Sequence, residues 1–387
     1  MTAEDLAQAL RAAVQAQRFE QTADALQGGA PLGVMPSIDL AVAVFGGAAP
    51  VAANVLFSRE HPQGLVARFD GDSGAVHNIA FQADVRNAAG DSFAWQPGAD
   101  WSRIAFPPWF GQGPRFVAPY PASLLKMMVA VGVARLVDQG RSDWALPLAY
   151  RSPQDRAVPC PPPEGVKEAW GGPALPCAGS TRAVADWLFD MITVSSNEAT
   201  SALVAHLHDR GAIRREGGRE VHNELHDVFA AHGLPGLMIA NTQPDGGWGN
   251  GAGAGVGQIQ MTAWDALRLT WRLDADAPAQ PPLVSPASRA VLRRALDAQQ
   301  RHEILSSESL RALPGWVPGI PTHFAHKTGN TQNYASDAGI VHDGGLHYLI
   351  AVTTSLGSRY APHPQAATTW RLPALGAAVH ALLKAGG

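Results

Sequence analysis

Cysteine, long apolar runs and clustered basic residues are all scarce in this sequence of 387 residues, and each scarcity excludes a class of protein. Two cysteines are too few for a disulfide-rich scaffold. No apolar run approaches the roughly 20 residues that a membrane-spanning helix needs. The net charge of -4, with no basic stripe, gives no sign of a nucleic-acid-binding surface. With 46% hydrophobic and 16% charged residues, the chain has the composition of a well-packed soluble protein with a substantial core.

The two cysteines leave the redox state open. Cys160 and Cys177 bracket a segment rich in proline and glycine. A disulfide would close this loop in an oxidising compartment, and two unpaired thiols in a surface loop fit the sequence equally well.

The N-terminal segment predicts an amphipathic helix, with Thr2 as its cap and the acidic Glu4 and Asp5 in its first turn. It does not have the pattern of a signal peptide. We therefore expect either a cytoplasmic protein or the mature form of an exported one.

The periodicity of apolar residues changes twice along the chain. Alternation predicts strands over residues 38–45, 51–57, 64–69 and 76–81, and again over 324–328, 335–342 and 346–354. A period of 3.6 predicts an apolar helix from residue 121 and further helices over 181–191, 198–208, 220–232, 262–273, 288–298 and 368–385. Strands at both ends thus enclose a helical middle.

This order predicts an α/β fold of the α+β type, an antiparallel sheet flanked by the terminal helices plus an inserted all-helical lobe. We expect residues 1–115 and 285–387 to form the sheet lobe and residues 116–284 the helical lobe. The active site is expected in the cleft between them.

Ser123-Leu124-Leu125-Lys126 places a hydroxyl and an ammonium group on one face of a helix. Only four lysines occur in the chain, and arginine could not replace a lysine that must release a proton. Burial near a second cation would lower the pKa of Lys126, so that it could act as general base for Ser123. Alone, the tetrapeptide also fits an ordinary serine near a helix start and a solvated lysine.

Ser195-Ser196-Asn197 follows an apolar run at a predicted junction between two helices. Ser195 could pass a proton to a leaving group, and Asn197 could donate to a substrate carbonyl. A simple helix cap explains the same three residues equally well.

Lys327-Thr328-Gly329 lies on a predicted strand. Lys327 and Thr328 could bind a substrate carboxylate, and Gly329 permits close approach of the backbone to a ligand. The N–H group of Asn330 would join that of Ser123 in an oxyanion hole. An ordinary strand that ends in a turn is the alternative.

The three motifs, in this order and in this context of helices and strands, resemble those of the serine β-lactamase and penicillin-binding protein superfamily, nearest to class A β-lactamases. The likeness covers roughly residues 115 to 385. It implies a β-lactamase/transpeptidase-like fold and an acyl-enzyme on Ser123, with a β-lactam, a D-Ala-type peptide or a related amide or ester as substrate. Lys126, Ser195 and Lys327 would move protons, while Asn197, Thr328, Gly329 and Asn330 would bind substrate.

The sequence departs from the class A pattern after the second motif, where no Glu-x-x-x-Asn is present. Asp245 is the candidate substitute for the glutamate that activates the deacylating water, although its side chain is one methylene shorter. Ser196 stands where class A enzymes usually have aspartate. Two alternatives therefore stay open: a non-hydrolytic penicillin-binding or sensor protein that forms a stable acyl-enzyme, or an esterase or amidase unrelated to the cell wall.

We expect no cofactor and no metal ion. His222 and His226 have helical i, i+4 spacing, but a solvated helix face explains them better than a metal site. The expected partner is a small molecule or short peptide, and the oligomeric state is not determined by the sequence.

Overall fold

A computed structural model describes residues 1–71, 73–85, 92, 94, 113–153, 175–248, 256–360 and 369–386. The α-helices of these residues are α1 (Ala3–Ala16), α2 (Lys126–Asp138), α3 (Val184–Thr193), α4 (Asn197–Asp209), α5 (Glu224–Ala231), α6 (Ala263–Leu273), α7 (Pro286–Asp297) and α8 (Arg371–Gly386). None of these described helices has the length and apolar character needed to cross a bilayer.

The strands are numbered in chain order. They are β1 (Ala23–Asp24), β2 (Ala30–Pro31), β3 (Ile38–Phe45), β4 (Val51–Phe57), β5 (Leu65–Val66), β6 (Ala80–Ala83), β7 (Arg115–Ala118), β8 (Pro147–Ala149), β9 (Thr181–Ala183), β10 (Ile213–Glu216), β11 (Arg219–Asn223), β12 (Met238–Ile239), β13 (Ile259–Gln260), β14 (Phe324–Asn330), β15 (Ala335–Asp343) and β16 (Leu346–Thr354).

Six strands form the central sheet in the order β14-β15-β16-β3-β4-β5, and all neighbours are antiparallel. The three consecutive strands predicted near the C-terminus are confirmed. Strand β16 lies beside β3, so the end of the chain pairs with its beginning. This pairing builds one sheet from two distant segments, as the predicted α/β fold requires.

The two faces of the sheet differ in side-chain size. On β3, Leu40 and Val42 pack with the apolar faces of α1 and α8 in one core. Their neighbours Ala41 and Ala43 belong to a second core, which contains the apolar residues of α2, α3, α4 and α6. Because successive side chains of a strand point to opposite faces, this alternation places the terminal helices on one face and the helical middle on the other. The predicted fold class is confirmed.

The helix predicted over residues 220–232 is wrong in its first turn. Strands β10 and β11 form a hairpin there, and Gly217 and Gly218 turn the chain with φ of 55° and 78°. Two adjacent glycines with positive φ are typical of a tight hairpin turn. His222 therefore lies on a strand and His226 on α5, so the two do not share a helix face.

Two of the predicted N-terminal strands are shorter than expected. The stretch 64–69 forms only the two-residue β5, and 76–81 is replaced by an isolated bridge between Phe69 and Val76 followed by β6. Cys177 is disulfide-bonded, whereas Cys160 lies outside the described residues. The division into lobes at residues 115 and 285 stays a prediction.

Candidate active site

Ser123 lies on a 3₁₀ turn, Ala122–Leu125, that leads directly into α2. Residues three apart are eclipsed in a 3₁₀ helix, so Ser123 and the first residue of α2, Lys126, face the same way. The preceding Ala122 has φ of 50°, a left-handed conformation that is rare for a residue with a side chain. Ser123 is half-buried, while its neighbours Ala122 and Leu124 are buried. The turn thus leaves the hydroxyl-bearing residue as the accessible one.

The Lys126 ammonium group is buried and faces the junction between α3 and α4. It donates hydrogen bonds to Ser195 Oγ at 3.1 Å, to Asn197 Oδ1 at 3.0 Å and to the backbone oxygen of Ser195. Lys126 and the second sequence motif are therefore in direct contact. Lys126 is therefore not the solvated lysine that the tetrapeptide alone would also allow.

Ser195 and Ser196 have different structural tasks. Ser196 caps α4, and its Oγ accepts from the N–H group of Ala199 at 3.0 Å. Ser195 lies just before this cap with φ of 63°, and its hydroxyl contacts lysine side chains. The helix cap is therefore confirmed for Ser196. The left-handed backbone at Ser195 instead directs the Ser195 hydroxyl toward Lys126 and Lys327. Strained conformations of this kind concentrate at functional sites.

Lys327 comes from β14 and reaches the same hydroxyl. Its Nζ donates to Ser195 Oγ at 3.0 Å and to the backbone oxygen of Thr328 at 2.7 Å. Burial lowers the pKa of Lys327 to about 7, and the nearby positive charge of Arg301 acts in the same direction. Near neutral pH this side chain can therefore both donate and accept a proton.

Gly329 brings the end of β14 against the turn that carries Ser123. A Cβ atom at this position would lie 2.4 Å from Ser336 Oγ, 2.6 Å from the backbone oxygen of Pro121 and 2.8 Å from the Leu124 nitrogen. Any larger residue would separate the strand from the turn. The third motif thus contains glycine because the two backbones are in close contact.

Thr328 and Asn330 occupy the same strand on either side of this contact. Thr328 is buried and pairs with Asp337, whereas Asn330 is half-buried and pairs with Ala335 at the end of the strand. Asn197, at the first turn of α4, is exposed. The proposed substrate-binding residues therefore come from two elements, Asn197 from α4 and the others from β14.

A buried charged network behind Lys327 was missed by the sequence analysis. Arg301 donates from Nε to the backbone oxygen of Val194 at 2.5 Å, so it supports the segment that carries Ser195. Glu303 is buried as well, and burial raises its pKa to about 7, against the opposing charges of Arg301 and Lys327. The apolar residues of the segment that contains Arg301 and Glu303 have no regular periodicity. This segment contributes to the site only because it lies next to β14.

A chain of hydrogen bonds runs beside this network. His326 Nδ1 lies 2.7 Å from Asp337 Oδ1, and His326 Nε2 lies 2.9 Å from His302 Nδ1. The other oxygen of Asp337 accepts from the Leu305 N–H group at 3.1 Å. Burial lowers the pKa of His302 to about 4, with His326 as the next cause. In the sequence, the signal for these hydrogen bonds was His326, which comes directly before the Lys-Thr-Gly motif.

Asp245 lies in the loop that follows β12. Its Oδ1 accepts from the Gly247 N–H group at 3.0 Å. Gly246 packs so closely on α4 that a Cβ there would lie 2.1 Å from the backbone oxygen of Ser201. The loop thus rests on the second turn of α4, one turn beyond Asn197. A role for Asp245 in deacylation stays a prediction.

A profile of the family described as "Beta-lactamase enzyme family" matches residues 117–377, which include all three motifs. The chain belongs to this family. No curated protein matches its sequence significantly. Membership in the serine β-lactamase and penicillin-binding protein superfamily confirms the resemblance seen in the sequence, and supports a β-lactamase-like hydrolase.

Solved structures share the fold of this β-lactamase family member at low sequence identity. A variant of PBP-A, solved as an acyl-enzyme complex with penicillin G, is 17% identical, with a TM-score of 0.53 over 100% of this chain and 98% of that chain. The TLA-3 extended-spectrum β-lactamase is 13% identical, with a TM-score of 0.52 over 97% and 99% of the two chains. The TLA-1 extended-spectrum β-lactamase is 14% identical, with a TM-score of 0.52 over 97% of this chain and 99% of that chain. At these identities the comparison concerns the fold alone.

Proposed function

We propose that this protein is a serine hydrolase that forms an acyl-enzyme on Ser123 from a β-lactam, a D-Ala-type peptide or a related amide or ester. The observation that supports this most directly is the meeting of two buried lysines on one serine hydroxyl. Lys126 and Lys327 both donate to Ser195 Oγ, and Lys126 is three residues from the accessible Ser123. Purely structural lysines seldom have this arrangement, because burying two like charges together is costly.

In the proposed acylation, neutral Lys126 takes the hydroxyl proton of Ser123 as Oγ attacks the substrate carbonyl carbon. The new C–O bond gives a tetrahedral oxyanion, to which the N–H groups of Ser123 and Asn330 would donate. The carbonyl carbon then loses its leaving group as Ser195 Oγ gives that group a proton. The proton that Lys126 took from Ser123 then returns to Ser195 Oγ, to which Lys327 also donates, so charge and protons balance.

Asn197 and Thr328 would orient the substrate on opposite sides of this proton path. The Asn197 amide is held through its Oδ1 by Lys126 at 3.0 Å, which leaves its N–H₂ group directed away from the ammonium. The positive form of Lys327, with Thr328, would bind a substrate carboxylate. Anionic acyl donors are therefore the preferred substrates in this proposal.

A stable acyl-enzyme is the second candidate function, and the surroundings of Asp245 favour it. One oxygen of that carboxylate already accepts from the Gly247 N–H group within its own loop. No Glu-x-x-x-Asn follows the second motif. A protein with this acylation machinery and slow deacylation would bind penicillin as a sensor or penicillin-binding protein does.

The deciding experiment is the intact mass of the protein over time after mixing with a penicillin, with Ser123→Ala beside the wild type. We expect an adduct of the penicillin mass on the wild type and none on Ser123→Ala. An adduct that clears with ring-opened product indicates a β-lactamase, and one that persists indicates a penicillin-binding protein. If both proteins are labelled equally, or the wild type reacts with neither penicillins nor activated esters, the proposal is wrong.

Asp245→Asn tests the deacylation step separately, because the amide keeps an oxygen for the Gly247 N–H group. Slower clearance of the adduct, with unchanged formation, would assign water activation to Asp245. Clearance at the wild-type rate would remove Asp245 from the mechanism.

A further inference from the structure

Two histidines face each other across the hairpin between β15 and β16. His342 and His347 are direct partners in the register, and their rings stack with centroids 4.1 Å apart. The carboxylate of Asp274, at the end of α6, lies beside them and is fully buried. One ligand atom from each of Asp274, His342 and His347 lies within 4.8 Å of the others.

One buried ring nitrogen of this cluster lacks a hydrogen-bond partner among the described residues. His347 Nε2 lies 2.7 Å from Asp274 Oδ2, and Arg293 binds the other oxygen, Asp274 Oδ1, at 3.2 Å. His342 Nε2 is buried and, within the described part of the chain, has no hydrogen-bond partner. Among the described residues, its nearest carboxylate oxygen is Asp276 Oδ2, at 3.8 Å. A buried ring nitrogen without a partner is uncommon, and a bound ion or water molecule would explain it.

Two imidazoles and a carboxylate suit a divalent transition metal such as Zn²⁺ better than Mg²⁺ or Ca²⁺, which prefer oxygen ligands alone. Asp276 is 67% exposed and can move in as a fourth ligand. Arg293 would then hold the coordinating carboxylate from outside, as partners of metal ligands often do.

We propose that Asp274, His342 and His347 form a binding site for one zinc-like divalent cation, completed by Asp276 or water. The cation would replace the proton that His347 shares with Asp274, and would link the end of α6 to the β15–β16 hairpin. His342 lies four residues along β15 from Ala338, the partner of Lys327, so the site is roughly 14 Å from that lysine at about 3.4 Å per residue. It is therefore separate from the proposed acylation site and independent of the proposed function.

The test titrates the EDTA-treated full chain with Zn²⁺ in competition with a chromophoric chelator. We expect one tight equivalent for the wild type, and a loss of affinity of roughly 100-fold or more in His342→Gln and His347→Gln, since even outer partners of a ligand are worth about 10–100-fold. The matched control is His323→Gln, because His323 Nε2 also lies 3.0 Å from a carboxylate, that of Asp297, but is not part of the three-ligand cluster. This control should bind Zn²⁺ as the wild type does.

Two further measurements keep the proposal testable if a variant folds poorly. Co²⁺ added to the wild type should give the visible absorption of a four-coordinate nitrogen and oxygen site. Zn²⁺ should raise the thermal midpoint of the wild type and of His323→Gln. A wild type without a stoichiometric site, or equal affinity in all four proteins, would show that the cluster is only a hydrogen-bonded ion pair.

Discussion

Lys126 and Lys327 donate to the same oxygen atom, Ser195 Oγ, at 3.1 and 3.0 Å. The two ammonium nitrogens are therefore no more than about 6 Å apart, and both are fully buried. Two positive charges at this separation repel each other strongly in a low-dielectric interior. The repulsion favours the release of a proton from one of them, which is the condition for a lysine to act as base.

Ser195→Ala and Ser196→Ala change neighbouring residues, but we expect the first to slow acylation and the second to lower stability. Removing the Ser195 hydroxyl interrupts the proton path, so we expect acylation by a β-lactam to slow by about 10²–10⁴-fold. Removing the Ser196 hydroxyl deletes the cap of α4 and should lower the free energy of unfolding by about 0.5–2 kcal/mol, with acylation intact. Intact-mass kinetics and urea unfolding measure the two effects. Equal acylation rates in both variants would contradict the role given to Ser195.

Gly329→Ala is expected to impair both folding and acylation. The new methyl group would lie 2.8 Å or less from Leu124, Pro121 and Ser336, so β14 must move away from the Ser123 turn. Overpacking of this kind costs about 1–3 kcal/mol, and the shift would displace the Asn330 N–H group. Gly345→Ala is the control, since a Cβ there meets nothing within 4 Å. Wild-type acylation in Gly329→Ala would show that this contact does not position the site.

The pH dependence of acylation should reveal Lys327. Its pKa of about 7 means that the positive form is present below pH 7 and is lost as the pH rises through that value. The second-order acylation rate with an anionic β-lactam should therefore fall above about pH 7. Lys327→Arg, which stays charged, should react more slowly but lose this alkaline fall. An activated ester without a carboxylate serves as control. An identical alkaline fall for both substrates would argue against carboxylate binding by Lys327.

Glu303 and Arg301 should move this pH profile in opposite directions. The negative charge of Glu303 raises the pKa of Lys327, and the positive charge of Arg301 lowers it. We therefore expect the alkaline fall to shift to lower pH in Glu303→Gln and to higher pH in Arg301→Gln. Arg301→Lys keeps the charge and should leave the profile close to that of the wild type. Shifts of the same sign in both glutamine variants would mean that a structural change, not charge, is responsible.

Much of the fold could be predicted from the sequence because the local patterns agree with the final environment. Strands β3, β4, β15 and β16 have the apolar or alternating pattern expected of strands in a sheet with apolar residues on both faces. Thr2 is the predicted cap of α1, and the structure adds a capping box with Asp5. The prediction failed over β11, where helix-compatible residues follow the Gly217-Gly218 turn. There the hairpin turn outweighed the helical propensity of the residues that follow it.

The sequence by itself determined which chemical groups are available: a serine three residues before a lysine, a second serine beside an asparagine, and a second lysine two residues before a glycine. Their order was enough to indicate the family. Only the tertiary structure decided that Lys126 and Lys327, which are 69 and 132 residues from Ser195, meet at its hydroxyl. It also brought Arg301 and Glu303 to Lys327, and Asp274 to a pair of stacked histidines. The physical reason is that pKa values and ligand geometry depend on burial and on through-space neighbours, which the packing of distant segments creates and no local pattern encodes.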